Sequence, residues 1–232
     1  KQAFSGGAER IELNTALMLG GLTPTVSTLT MVKEEMPELK VIAMVRPRGA
    51  GFCYSTEDFK VMEAECRKLV ENGADGIAFG CLKEDASLDQ DKMKRMLDII
   101  KGAGKEAVFH RAFDCSSNPF KTTEQLIAMG VDRILTSGLK PKAMDGWELL
   151  KELKELYGSR IQILAGSGVN ASNARSLMDK TGLDQVHSSC KDWLTDPTTV
   201  QNGVSYSIAS GEQELCYDVV SADLVRKLLA SV

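Results

Sequence analysis

With 232 residues and 28 basic against 32 acidic side chains, net charge −4, the chain can bury a sizeable core without disulfides or metal. It lacks the basic excess expected of a nucleic-acid surface or of a partner for anionic membranes. It contains no apolar run near the roughly 18 residues of a membrane span, and the opening KQAFSGGAERIEL has no apolar signal-peptide core. Six cysteines, at 53, 66, 81, 115, 190 and 216, show no CxxC or zinc spacing and read as free thiols of a cytoplasmic protein.

In chain order, a helix ends at Gly6-Gly7 and GAERIEL starts a strand near residue 10. VIAMV starts a second strand near 41. Phe59, Met62, Cys66, Leu69 and Val70 then recur at three- and four-residue spacing, predicting a helix between Glu57 and Val70. GADGIAF gives a strand near 76, and Met93, Met96, Leu97 and Ile100 give the next helix. EAVFH and GVDRILTS give strands near 107 and 133. Trp147, Leu150, Leu153, the stem of Lys154 and Tyr157 mark a helix, followed by IQILAG as a strand near 161. A helix begins near Ser172, and GLDQVHSS gives a strand near 185. The polar stretch DPTTVQNGVSYSIASGEQE and a closing helix at about 220–231 complete a tail over about 194–232.

Four of these strands open with one repeated phrase: glycine, a small or apolar residue, an acid, any residue, then an apolar run. A helix that ends on a glycine in the left-handed conformation, with a buried strand at once behind it, accounts for the repeat. Strands alternating with helices run parallel, because each crossover is a helix. Regular units without a linker predict one α/β domain over 1–232, a TIM-type (β/α)8 barrel, with an open sheet as the alternative. Seven strands are visible where such a barrel has eight, so the first strand is expected upstream of Lys1.

A barrel of this kind builds its site at the carboxyl ends of its strands. Those ends carry Glu12, Arg46, Arg48, His110, Arg111, Asp114, Ser137, the turn at Gly166 and Gly168, and His187. Both histidines of the chain are in this set. Arg46 and Arg48, converging with Arg111, would bind a phosphate or carboxylate bidentately; alternatively they neutralise Glu12 and Asp114 in a structural network. AGSGVN at 165–170 stands between a strand and a helix, where small residues expose N–H groups to an anion; Ser137 belongs to the neighbouring strand end. Glu12, His110, Asp114 and His187 are the candidate catalytic residues. The histidines can serve as general acid and base or as buried side chains bonded to carbonyls, and Glu12 as a base or as a tether for an arginine. Cys53, Cys81, Cys115 and Cys190 fall on the same rim. Thiolates there, Cys53 and Cys115 first, could hold Cu(I), or the cysteines are incidental.

Eight phrases in fixed order, GAERIEL, GGLTPT, RPRGAGFCYS, GADGIAFG, FHRAFD, RILTSG, AGSGVN and VHSS, resemble the CutC family of copper homeostasis proteins from Gly6 to about Trp193. The resemblance implies a TIM-type barrel with a strand before this region. It also implies a cytoplasmic, self-associating protein (a dimer or tetramer) and copper handling through cysteines. The family cysteine after the RIEL phrase is Asn14 here, while the cysteine of GFCYS is kept as Cys53. Two functions are therefore expected: a copper-binding homeostasis protein, or an enzyme acting on a small anionic substrate by acid–base chemistry.

Overall fold

The computed structural model describes residues 1–232. Six short strands, β1 (Arg10–Leu13), β2 (Lys40–Met44), β3 (Gly76–Phe79), β4 (Glu106–Phe109), β5 (Arg133–Thr136) and β6 (Gln162–Ala165), pair in chain order and all in parallel. The sheet curls as a half-barrel. Helices α1 (Gln2–Ser5), α2 (Val26–Glu35), α3 (Thr56–Glu71), α4 (Gln90–Gly102), α5 (Pro119–Ala128), α6 (Trp147–Tyr157) and α7 (Ala174–Thr181) separate or flank the strands. Side-chain caps fix several helix starts, among them Thr25 on α2, Asp89 on α4, Asn118 on α5 and a Ser55/Asp58 capping box on α3. No helix is long and apolar enough to cross a membrane.

Six of the seven expected strands form as ladders. The phrase GLDQVHSS instead meets β6 through one parallel bridge, Ala165 to Val186, followed by the bond from His187 N–H to the Ala165 carbonyl at 2.7 Å. This segment has a strand on one side only. The seam between it and β1 is spanned by side chains. Arg10 Nη2 donates to Gln185 Oε1 at 2.9 Å, and His187 faces Glu12.

Alternation divides the strand residues between two faces. Val41, Ala43, Ile77, Phe79, Ala107, Phe109, Ile134 and Ile163 are buried in the larger core, whose other members come from the helices. Ile42, Met44, Ala78, Val108, Leu135 and Leu164 form a second buried layer on the concave face. Below that layer, toward the strand starts, lies a polar floor. Arg133, 3 % exposed, bonds Glu106 and Gln162, and Gln185 joins Gln162 at 3.2 Å. A buried cation needs such partners, and burial, with the Arg10 charge nearby, lowers the pKa of Arg133. Above the layer the strands open into the candidate site.

After Ser189 the chain leaves the sheet as an antiparallel ribbon, β7 (Lys191–Thr195) paired with β10 (Cys216–Val220), carrying the small hairpin β8 (Val200–Gln201) and β9 (Val204–Ser205). Helix α8 (Ala222–Ala230) returns to the body. It packs against α1 so closely that a Cβ on Gly6 would lie 2.6 Å from Val225 Cβ, so that position requires glycine.

Candidate active site

A cavity of about 530 Å³ opens at the carboxyl ends of the strands. Glu12, Arg46, His110, Arg111, Gly168 and His187 line it, together with Phe52, Asn170, Ser188 and, from α8, Leu224 and Leu228. Glu12, on the concave side of β1, and His187, beyond the Val186 bridge, approach to 3.9 Å between Oε1 and Nε2.

Strand β4 ends at Phe109, and a 3-10 turn over Arg111–Cys115 follows at once. His110 caps this turn: its Nδ1 accepts the Ala112 N–H at 3.1 Å. The proton of the neutral ring therefore sits on Nε2. That atom is buried and has no hydrogen-bond partner. Burial, reinforced by the nearby Arg46 charge, lowers the His110 pKa to about 3, so the ring is neutral at physiological pH. Gly80 makes the arrangement possible, since a Cβ there would stand 2.9 Å from the imidazole Cε1 and Nδ1. Because β4 ends at Phe109, strand alternation does not send His110 and Arg111 to opposite faces, and both line the cavity.

Of the two arginines after β2, only Arg46 lines the cavity with Arg111, and the expected convergence of three arginines is not formed. Arg46, 5 % exposed, donates from Nη1 to the carbonyls of Leu19 and Gly21 and from Nη2 to that of Ala50, with its Nε unpartnered. Arg48 pairs with Asp58 at 2.9 Å, bonds the carbonyls of Gly49, Gly51 and Cys53, and lies outside the cavity lining. The pairing with Arg48 lowers the Asp58 pKa. Arg46 thus ties the loops after β1 and β2 together, and Arg48 ties the loop after β2 to α3.

Asp114 also lies off the cavity wall. It accepts Arg111 Nε at 2.7 Å, the Thr136 hydroxyl, and the backbone N–H groups of Ser137 and Leu139 at 3.0 and 3.2 Å. Arg111 Nη2 bonds Ser137 Oγ at 2.8 Å. Asp114 and Ser137 therefore aim Arg111, and Ser137 itself is fully buried.

The 165–170 turn supplies donors. Ser167 and Gly168 have φ of +83° and +71°, and the N–H groups of Ser167, Gly168 and Val169 donate to no group of the protein. Successive free amides in such a turn form an anion-binding concavity. Gly166 gives its N–H to the Thr136 carbonyl and does not reach the cavity.

Cys53 and Cys115 are exposed and share a separate shallow groove with Arg48, Phe52 and Lys83. Cys66 and Cys81 are buried, which raises both thiol pKa values, that of Cys66 to about 12. No group of three or more His, Cys, Asp or Glu side chains is arranged to hold a metal ion.

The family model for CutC matches residues 1–192, which is most of the chain. The chain belongs to the CutC family. A CutC family protein of Treponema denticola is 39 % identical over 231 residues, covering 99 % of this chain and 93 % of that one. The copper homeostasis protein cutC homolog of Homo sapiens is 35 % identical over 214 residues, covering 92 % and 76 %. The crystal structure of CutC from Streptococcus agalactiae superposes with a TM-score of 0.73 at 31 % identity, over 77 % of this chain and 87 % of that chain. A 3-hexulose-6-phosphate synthase from Salmonella typhimurium, 16 % identical, covers 99 % of this chain and 88 % of its own with a TM-score of 0.60; at that identity the likeness concerns the fold alone.

Sequence reasoning missed Phe52 as part of this CutC-family site, whereas the exposed amides expected of AGSGVN are present at 167–169. Phe52 lies inside the phrase RPRGAGFCYS, and an aromatic on a βα loop was the available signal. The two positive φ values, at Ser167 and Gly168, are what leave those amides free.

Proposed function

We propose that this chain is an enzyme whose cavity binds a small phosphate- or carboxylate-bearing molecule and moves a proton within it. The observation that carries this reading is that Glu12, His187, Arg111 and residues 167–169, whose backbone amides have no partner in the protein, line one cavity. Arg111 and the 167–169 amides take the anion; Glu12 and His187 accept and return the proton. Arg111→Ala should weaken binding of inorganic phosphate or pyruvate by about tenfold or more in titration calorimetry, without unfolding the protein. Unchanged affinity would remove the anion site.

A second reading concerns copper, favoured by the shared groove of Cys53 and Cys115. In this reading the two thiolates hold Cu(I) as a linear pair, in keeping with copper homeostasis as the family's named role. Anaerobic competition against a chromophoric Cu(I) chelator tests it. Tight binding by the parent that is lost in Cys53→Ser/Cys115→Ser supports the pair, and equal binding by both proteins discards it.

We further propose that an eighth strand between β1 and the Val186 segment closes the sheet into a (β/α)8 barrel, and that the protein works in the cytoplasm as a dimer or tetramer. The strand edges facing each other across the Arg10–Gln185 seam support closure, and the unpaired thiols support a reducing compartment.

A further inference from the structure

Buried side-chain nitrogens and oxygens without a hydrogen-bond partner are Arg46 Nε, His110 Nε2 and the Tyr54 hydroxyl. Two of the three belong to residues that line the cavity, and both of these pack against one ring. The Arg46 guanidinium carbon lies 5.2 Å from the centroid of Phe52, and the His110 ring centroid lies 5.0 Å from it. Leaving such donors unpaired is costly, so their persistence around one ring needs a reason.

Their chemistry narrows what would pair with them. Arg46 Nε can only donate. His110 can only donate from Nε2, because the Ala112 N–H occupies Nδ1 and fixes the tautomer. The missing partner is therefore an acceptor. A carbonyl or carboxylate oxygen accepts from such donors with no hydrogen of its own to place. Arg46 also stands apart in charge: its bonds go to three carbonyls, and no carboxylate pairs with it. An oxygen that gains negative charge would meet an uncompensated buried cation there.

We infer that Arg46 Nε–H and His110 Nε2–H hold the carbonyl oxygen of a small anionic carbonyl compound, such as a 2-oxo acid or an open-chain keto phosphate. This rests on the anion-binding reading above and names the substrate class of that same site. The balanced step is enolisation. A proton leaves the carbon beside the carbonyl for the Glu12 carboxylate, the C–H electron pair forms the carbon–carbon double bond, and the carbonyl π pair moves onto oxygen. The two N–H groups receive that oxyanion, and return of the proton from Glu12 to the same carbon completes an exchange. In a keto phosphate with a hydroxyl on that carbon, the hydroxyl proton passes to the oxyanion and the Glu12 proton returns to the former carbonyl carbon, which completes an isomerisation. His110 acts here as a neutral electrophile rather than as a base. Phe52 covers both donors, so its side chain turns aside as the oxygen enters. Its carbonyl stays fixed by the Leu82 N–H at 2.9 Å, and a Cβ on the preceding Gly51 would meet nothing within 4 Å.

Matched pairs of probes test the inference: pyruvate against propionate, and dihydroxyacetone phosphate against glycerol 3-phosphate, with inorganic phosphate as the anion control. The carbonyl member of at least one pair should bind roughly tenfold or more tightly in the parent, and the preferred pair tells carboxylate from phosphate. His110→Phe and Arg46→Lys should reduce that preference to within about twofold, while His110→Gln, which keeps an N–H, restores part of it. In ¹⁵N-histidine spectra the Nε2–H tautomer of His110 should persist from pH 5 to 8 and its resonance should move when the carbonyl probe is added. Equal binding of both members of each pair, with inorganic phosphate still bound, overturns the carbonyl site alone. Binding of none of the probes overturns the anion reading and this inference with it. A His110 found as the Nδ1–H tautomer overturns the donor role without any variant.

Discussion

Asp114→Ala is expected to destabilise the protein by about 3–5 kcal/mol, read as a shift of the urea midpoint. The carboxylate is the common acceptor for Arg111 Nε, the Thr136 hydroxyl and the N–H groups of Ser137 and Leu139. Its side chain is 9 % exposed, so water is poorly placed to replace it. Truncation strands several donors at once, including the backbone of the turn after β5. Asp114→Asn keeps one acceptor oxygen and should lose roughly half as much. The same truncation frees Arg111, so anion affinity should fall along with stability, although Asp114 touches no ligand in this scheme. A loss below about 1 kcal/mol would show that the donors find other partners and that the knot around Asp114 is dispensable.

The second large effect is in pH. The folded His110 has a pKa of about 3, well below its ordinary value of 6.5. Between those values the unfolded chain binds a proton at this residue and the folded one does not, so stability rises with pH across the interval. Its contribution is complete above about pH 6.5 and is lost as the pH falls toward 3, at roughly 1.4 kcal/mol per pH unit in mid-interval. His110→Phe removes the titration. Denaturation curves of parent and variant at pH 7, 5.5 and 4.5 should show the variant gaining on the parent as the medium becomes more acidic. Parallel pH profiles would mean that His110 takes up its proton in the folded state, and with that its role as a neutral donor would go.

Most of the sheet was legible because its signals are local. A glycine ending a helix, an acid and an apolar run sufficed to place β1, β3 and β5 at their phrases. The three- and four-residue spacing of Phe59, Met62, Cys66 and Leu69 marked the buried stripe of α3. GLDQVHSS carries the same local signal yet forms a single bridge, because a ladder also depends on neighbours, and a phrase cannot report how many it has. The ribbon of β7 and β10 escaped notice since neither strand holds a buried residue: KDWLT is mostly exposed, and CYDVV is at most half-buried. At the site, position was readable and partnership was not. Arg46 and Arg48 stand at a strand end as expected, but their guanidinium groups bind carbonyls of residues 19–21 and 49–53, and carbonyls are invisible to residue-type reasoning. The anion-binding expectation thus rests on Arg111 and the 167–169 amides instead of three converging arginines.

Helix α8 supplies Leu224 and Leu228 to the cavity wall and seats Val225 on Gly6. In the order of synthesis this wall follows every strand of the parallel sheet. While residues up to about 220 emerge from the ribosome, the mouth stands unroofed, with Glu12 and His187 open to solvent on that side. A ligand can therefore do little for the nascent chain, and its stabilising effect begins only when the last wall has docked. Deuterium uptake by α8, more than by any strand, should report whether the cavity is occupied.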